Sequence, residues 1–517
     1  MHNRVHKTIL LLALFLLASC GGGGGESDVG VENNAQPAPS VQETIIAPAE
    51  PIDNEHLSGG NASVKKIKSD AFSQNSNNMV SIEKIKTFNI GDDFFNNPWV
   101  GGSASTSSRD GLGGLFNNNA CQDCHIRDGR GHAPIDENDT DFDSILFRTA
   151  KANLGFEEES LLLHSLKANV PDRYFGSQLQ QHGISGVSPE VNLRVSYQEK
   201  VVNFIDGSRV VLRVPKWKIT SYKPEQNFEE NTVFSARVAP PMIGLGLLAL
   251  ISEADILKKE DINDVDADGI SGKANYVWST NNQKMSLGRF GWKAGQPSIL
   301  EQSADAFVND MGLTNRLHQQ EKCTETQAEC LSAPNGNGDS VNDYNFEVSD
   351  IILNAITFYS THLAVPERRD AYSEQVLTGK ALFHQANCQS CHTPSYTTMV
   401  DQNQIELSEQ IIFPYTDMLL HDMGEDLADF TLENKPASAE MLYEFLATAT
   451  EWRTPPLWGL GLTKTVDPAA SFLHDGRANT IMEAILWHGG EAESAKNKVL
   501  TFNQAEREAL LAFLNDL

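Results

Sequence analysis

Cys121-Gln-Asp-Cys124-His125 and Cys388-Gln-Ser-Cys391-His392 are two copies of one C-x-x-C-H pattern, and reading them decides the fold. Two thiols one helical turn apart suit the two vinyl groups of a single heme. The histidine that follows then reaches the iron as proximal ligand. A zinc site would need further Cys or His pairs at ligand spacing, and a thiol-exchange pair needs neither the histidine nor a second copy. The two sites therefore predict two covalently attached c-type hemes, with His125 and His392 as iron ligands.

The resemblance between the copies extends beyond the motifs. Leu115-Phe116 precedes Cys121 by the spacing at which Leu382-Phe383 precedes Cys388. Further along, Pro240-Pro241-Met-Ile-Gly244-Leu-Gly-Leu247 matches Pro455-Pro456-Leu-Trp-Gly459-Leu-Gly-Leu462, in the same order. The chain thus reads as a mainly α protein of two cytochrome c-like heme domains. Residues 84–370 make the first, enlarged by insertions, and 371–517 the second. Helical periodicity over Glu374–Phe383 and Asn503–Leu517 supplies a helix pair for the second unit, the latter with Thr501 and Gln504 at capping spacing. Val191 to Tyr222 alternates like strands around Asp206-Gly207, which predicts a β-hairpin within the insertion.

The N-terminus has its own logic. Arg4 and Lys7 precede an apolar run, Thr8 to Leu17, too short to span a bilayer, and Leu17-Ala18-Ser19-Cys20 resembles a bacterial lipobox. Residues 1–19 are expected to be a lipoprotein signal peptide, with Cys20 lipidated. Residues 20–83, opening with Gly21–Gly25 and rich in Asn, Ser and Pro, are expected to be a disordered tether. The expected location is a membrane-anchored lipoprotein facing the periplasm, at the outer membrane. A net charge of −29 over 517 residues argues against nucleic acid and favours a basic redox partner such as a small cytochrome. Of seven cysteines, one carries lipid and four carry heme. Cys323 and Cys330 are left for a short-loop disulfide or two free thiols.

These residues resemble the bacterial di-heme oxidoreductase family often labelled "thiol oxidoreductase", related to di-heme cytochrome c peroxidases and MauG-type enzymes. The resemblance rests on the first heme motif with Gly129-Arg-Gly131, on Gly288-Arg-Phe-Gly-Trp292-Lys293, and on Leu363-Ala-Val-Pro366-Glu-Arg-Arg369. It also rests on Leu420-His421-Asp422-Met423-Gly424, Arg453-Thr-Pro-Pro456, Phe472-Leu-His474-Asp475-Gly476-Arg477 and Trp487-His488-Gly-Gly-Glu491. It implies electron transfer between two hemes, peroxidase-like reduction of peroxide, a periplasmic electron donor or acceptor, and homodimers in some relatives. A non-enzymatic periplasmic electron-transfer cytochrome is the alternative. One position departs from the family pattern: Ala249 stands where an acid is expected after Leu248, with Glu253 the nearest replacement. The "thiol" label fits poorly, because the cysteines are already assigned to lipid, heme or the expected short-loop disulfide.

For the sixth position of the second heme, Met423 is the leading candidate, with His421 and Met418 as rivals; a thioether ligand suits an electron-transfer heme. Met311, His132 and His164 are the candidates at the first heme. Peroxide cleavage needs a distal acid–base group and a charge near the leaving oxygen, and His474, Arg477, His488 and Glu491 have the right chemistry. Propionate or loop contacts would explain His474 and Arg477 equally well. Trp292 lies either between the hemes or simply in the core. Asp264, Asp266 and Asp268, followed by Gly269, have the oxygen spacing of a calcium loop, although position twelve is Asn275 rather than Glu; a solvated acidic turn is the alternative. Asn335, Asn337 and Asp339 repeat that pattern more weakly.

Overall fold

Two pairs of helices, each crossing at a glycine, frame the molecule. Helix Ile82–Asn96, capped by Ser81, crosses helix Asp350–His362, capped by Ser349. At Gly91 a Cβ would lie 2.3 Å from the Ala355 carbonyl oxygen, so only glycine permits the approach. Helix Glu374–Gln385 crosses helix Gln504–Asp516 in the same way at Gly379, where a Cβ would lie 1.9 Å from the Ala509 carbonyl. One C-x-x-C-H motif follows the leading helix of each pair. The computed structural model describes residues 46–102, 104–106, 108–152, 168–336 and 346–517.

The C-terminal helix starts differently from its expected cap. Asn503 and Glu506 form the capping box, while Thr501 closes the preceding helix, Glu493–Leu500. That helix consumes the residues up to 500, so the free N–H groups of the next begin only after Asn503.

The predicted hairpin is present. Strands Val191–Asn203 and Arg209–Ser221 pair antiparallel from Val191↔Ser221 to Asn203↔Arg209, with Asp206-Gly207 at the turn and Gly207 at φ 82°. Its inward side chains, among them Val195 and Trp217, pack on Phe147 and Phe234 of a three-stranded sheet. In that sheet the fully buried strand Thr232–Val238 lies between Ile145–Lys151 and Phe430–Thr431. Strand accounts for 19% and helix for 28%, with the strands of the described residues in small sheets, so the architecture is mixed rather than mainly α.

Residues 46–517 form one packed unit. The sheet takes strands from both sides of the expected boundary at 370/371, and one apolar cluster joins Ala62, Leu247, Val365, Leu407 and Trp458. Packing is therefore continuous across that boundary. The tether also ends earlier than expected. From Ile46 the chain is packed: Ala71 and Phe72 are core residues, and Glu55 is buried between Lys380 and Arg368. Its polar composition misled because Glu55 is matched by buried cations instead of water. Residues 1–45, with the expected signal peptide and Cys20, lie outside the described residues. Cys323 and Cys330 form a disulfide. Among the described residues no helix is long and apolar enough to cross a membrane.

Candidate heme sites

Both C-x-x-C-H motifs open into one cavity of about 410 Å³, and all four cysteines and both histidines line it. Cys121–Cys124 is a single helical turn, and Cys388–Ser390 a 3-10 turn, so each thiol pair faces the same side. Burial pushes the Cys121 and Cys388 thiols up to about 12, the opposite of what a thiolate-based exchange pair needs.

The two histidines share one hydrogen-bond signature. His125 Nδ1 donates to the Pro240 carbonyl at 2.8 Å, and His392 Nδ1 to the Tyr415 carbonyl at 2.9 Å. A carbonyl only accepts, so the proton sits on Nδ1 and the Nε2 lone pair is left for the cavity. Burial lowers both pKa values to about 4, so both rings are neutral, as ligation requires. Paired thiols, an uncommitted Nε2 and apolar walls such as Phe95, Phe307, Phe383 and Leu510 fit a heme at each motif.

His488 carries the same signature. Its Nδ1 donates to the Ala484 carbonyl at 2.8 Å, burial lowers its pKa, and it lines the cavity. Met423 also lines the cavity, but its side chain packs against two apolar clusters. The rivals are occupied elsewhere. His421 spends both ring nitrogens on carboxylates, and Met418 is core. His132 bonds Asp141 at 3.2 Å and is not among the cavity walls, whereas Met311 is buried and lines the cavity. His164 lies outside the described residues.

The four candidate acid–base residues separate. His474 faces the cavity, stacked on Trp452 at 3.6 Å between ring centroids and edge-on to Trp292 at 6.5 Å. Its ring nitrogens have no protein hydrogen bond among the described residues, and burial lowers its pKa to about 3. Trp292 itself donates Nε1–H to the Val238 carbonyl at 2.8 Å. Arg477 is turned away from the cavity, gripping Asp475 at 2.8 Å and lying over the Trp487 ring. Glu491 lines the cavity but is fully used: it accepts from His421 Nδ1 at 2.6 Å, from Ser271 and from the Asp422 N–H. Burial opposes its ionisation, and the bond to His421 overrides that, leaving its pKa below the usual range. Glu253 is exposed at the start of a short surface helix, so it does not replace the missing acid at Ala249.

In the acidic loop, ligand atoms of Asp264 and Asp266 converge with those of Asp261, all within 4.8 Å of one another. Asp268 is not in that group; its carboxylate accepts from the Ile270 N–H. Asn337 and Asp339 lie outside the described residues.

Sequence reasoning gave no role to Trp452, Arg130 or Arg453, which all line the cavity. Arg130 and Arg453 stand inside stretches already quoted, Gly129-Arg-Gly131 and Arg453-Thr-Pro-Pro456, but nothing in their spacing reveals burial. The carbonyls of Pro240 and Tyr415 leave no sequence signal at all.

Comparison with known proteins places these observations. Residues 52–517 match the family described as "Di-haem oxidoreductase, putative peroxidase". No curated protein matches. Among solved structures, the chain is similar to hydrazine synthase from Kuenenia stuttgartiensis at 20% identity, covering 33% of this chain, with a TM-score of 0.21. It spans only 57% of that chain's length. It is also similar to the diheme peroxidase BthA from Burkholderia thailandensis at 15% identity, covering 64% of this chain and 93% of that one, with a TM-score of 0.25. The family match runs through both C-x-x-C-H motifs and every cavity-lining residue named above, and the chain belongs to the di-haem oxidoreductase family.

Proposed function

We propose that this chain is a di-heme c-type oxidoreductase that reduces peroxide, with electrons passing from one heme to the other. The observation that carries the reading is the matched pair of histidines, His125 and His392. Each is neutral, each is fixed through Nδ1, and each leaves Nε2 for a cavity lined by the two cysteines of its motif. Thioether attachment would run through Cys121 and Cys124, and through Cys388 and Cys391. Two cytochrome c-like units are supported by the glycine-crossed helix pair that frames each motif.

Bound, the hemes supply one-electron storage and an iron at which the O–O bond of peroxide is reduced. His488 would hold the second heme's iron more readily than Met423 would, because its Nε2 is uncommitted whereas the Met423 thioether belongs to apolar packing. Reduction of peroxide to two waters consumes two protons. His474 is neutral, because burial lowers its pKa to about 3, so it is a cavity-lining ring able to accept a proton from one peroxide oxygen and pass it to the other, and Trp452 and Trp292 fix its plane. Glu491 is a positioning residue that orients His421 and Ser271.

Electrons would enter at the second heme from a basic periplasmic donor, a reading supported by the net charge of −29. The lipobox ending in Cys20 supports a lipid anchor at the outer membrane facing the periplasm. Calcium belongs to the same reading, held by Asp261, Asp264 and Asp266. One observation favours a second reading, an electron-transfer cytochrome without turnover: Ala249 replaces the expected distal acid and Glu253 is exposed.

Optical and EPR spectroscopy through a redox titration, joined to a peroxide assay with a reduced donor, separates the two. The peroxidase reading expects one iron with an open sixth position and turnover. Two low-spin irons inert to peroxide would establish the carrier instead.

A further inference from the structure

Among the described residues four arginines line the cavity, and they are of two kinds. Arg148 and Arg237 each have a carboxylate, Asp305 at 3.3 Å and Glu444 at 2.6 Å. Arg130 and Arg453 have none among the described residues, although they are only 8% and 7% exposed. Their donors go to carbonyls: Arg130 to Leu473, Arg453 to Gly291 at 3.0 Å and to Thr454 at 3.1 Å. The carboxylates whose charge reaches them, Asp475 and Asp417, are already bonded to Arg477 and His421. Carbonyls satisfy N–H groups but leave the charge unbalanced, and a buried guanidinium without an anion is costly. Burial lowers both pKa values only to about 10, so both remain cations at neutral pH.

Each arginine belongs to one motif. Arg130 lies five residues beyond His125. The Thr454 carbonyl beside Arg453 accepts from Thr416, whose N–H donates to Thr393, the residue after His392. We infer that Arg130 and Arg453 are carboxylate seats for heme propionates, Arg130 at the first motif and Arg453 at the second. This rests on the reading that both motifs carry heme. It assigns each heme a cation supplied by its own half of the chain.

The test uses full-length holoprotein with R130Q, R453Q, R130K and R453K. Heme is counted by pyridine hemochrome, and midpoint potentials are followed over a range of pH. Each Gln variant is expected to keep two hemes and to lower the potential of one heme, a different one in each. The cause is that the lost cation no longer favours the reduced, more negative state. The same heme should gain a pH dependence as its propionate pKa rises, and the Lys variants should return most of the shift. Loss of heme in a Gln variant but not in its Lys counterpart also supports the inference. Unchanged potentials with two hemes bound would overturn it, as would heme loss in both the Gln and Lys variants. So would a wild-type potential that moves with added chloride while the Gln variants' do not, which would assign the seats to a solvent anion. Wild-type protein with no covalent heme would overturn the functional reading itself, and this inference with it.

Discussion

The indole of Trp458 occupies the space that a side chain on Gly244 would need: a Cβ there would lie 2.2 Å from Trp458 Cζ2. The converse also holds, since a Cβ on Gly459 would lie 2.6 Å from Ile243 Cδ1. Ile243-Gly244 and Trp458-Gly459 are equivalent positions of the two Pro-Pro repeats, so the repeats pack against each other. Gly244 also sits at φ 72°, a conformation that costs other residues about 1–2 kcal/mol. With overpacking of about 1–3 kcal/mol added, Gly244→Ala should lose about 3 kcal/mol in urea unfolding. A loss under about 1 kcal/mol would mean that the two repeats slide apart without penalty.

Peroxide turnover should distinguish three neighbours. His474→Ala should lower it about 100-fold with both hemes retained, as loss of an acid–base group does. His488→Ala should instead change the EPR and optical spectrum of the second heme. Arg477→Ala strands the buried Asp475 and should cost stability first, lowering the unfolding midpoint. Equal effects of all three on turnover, with unchanged spectra, would contradict this division.

His421 gives the site a pH signature. Burial alone would lower its pKa, but Asp417 at 2.8 Å, with the neighbouring Cys391, outweighs it and holds it well above 6.5. Its stabilising contribution is therefore full below the unfolded value and is lost as pH rises through the raised one. The pKa of Glu491 lies below its ordinary 4.5, so its contribution is full above that value and is lost as pH falls through the lowered one. At neutral pH both contribute. His421→Ala should cost about 3 kcal/mol near pH 7, because it strands a buried carboxylate. The difference from wild type should narrow as the pH is lowered and Glu491 takes up a proton. Urea unfolding at a series of pH values measures that gap; a constant gap would show that the pair is not ionised.

Glu55 docks the N-terminal segment. Its carboxylate meets Lys380 at 2.6 Å and Arg368 at 3.1 Å, with all three side chains buried. Glu55→Ala leaves two cations without this partner and should cost about 3–5 kcal/mol. It should also open residues 46–81 to limited proteolysis, which leaves wild type intact. Cleavage of both proteins at equal rates would show that the segment is not held by this contact.

The chemistry-bearing positions were legible in the chain itself. C-x-x-C-H works through covalent spacing within one helical turn, and that spacing is written in five consecutive residues. The hairpin at Asp206-Gly207 and the helices after Ser373 and near Asn503 were legible for the same reason: period and turn chemistry are local. What His421, His474, His488 and Arg477 each do was decided only by tertiary structure. All four are polar residues in similar surroundings along the chain. Which of them faces the cavity depends on partners farther along the chain, Glu491 around one, Trp452 and Trp292 around another. The folding of residues 46–81 was hidden likewise, because burial of Glu55 depends on cations more than 300 residues away. A lone sequence records which groups can ionise or ligate. Only the fold decides which of those groups keeps a free nitrogen, and which spends it on a neighbour.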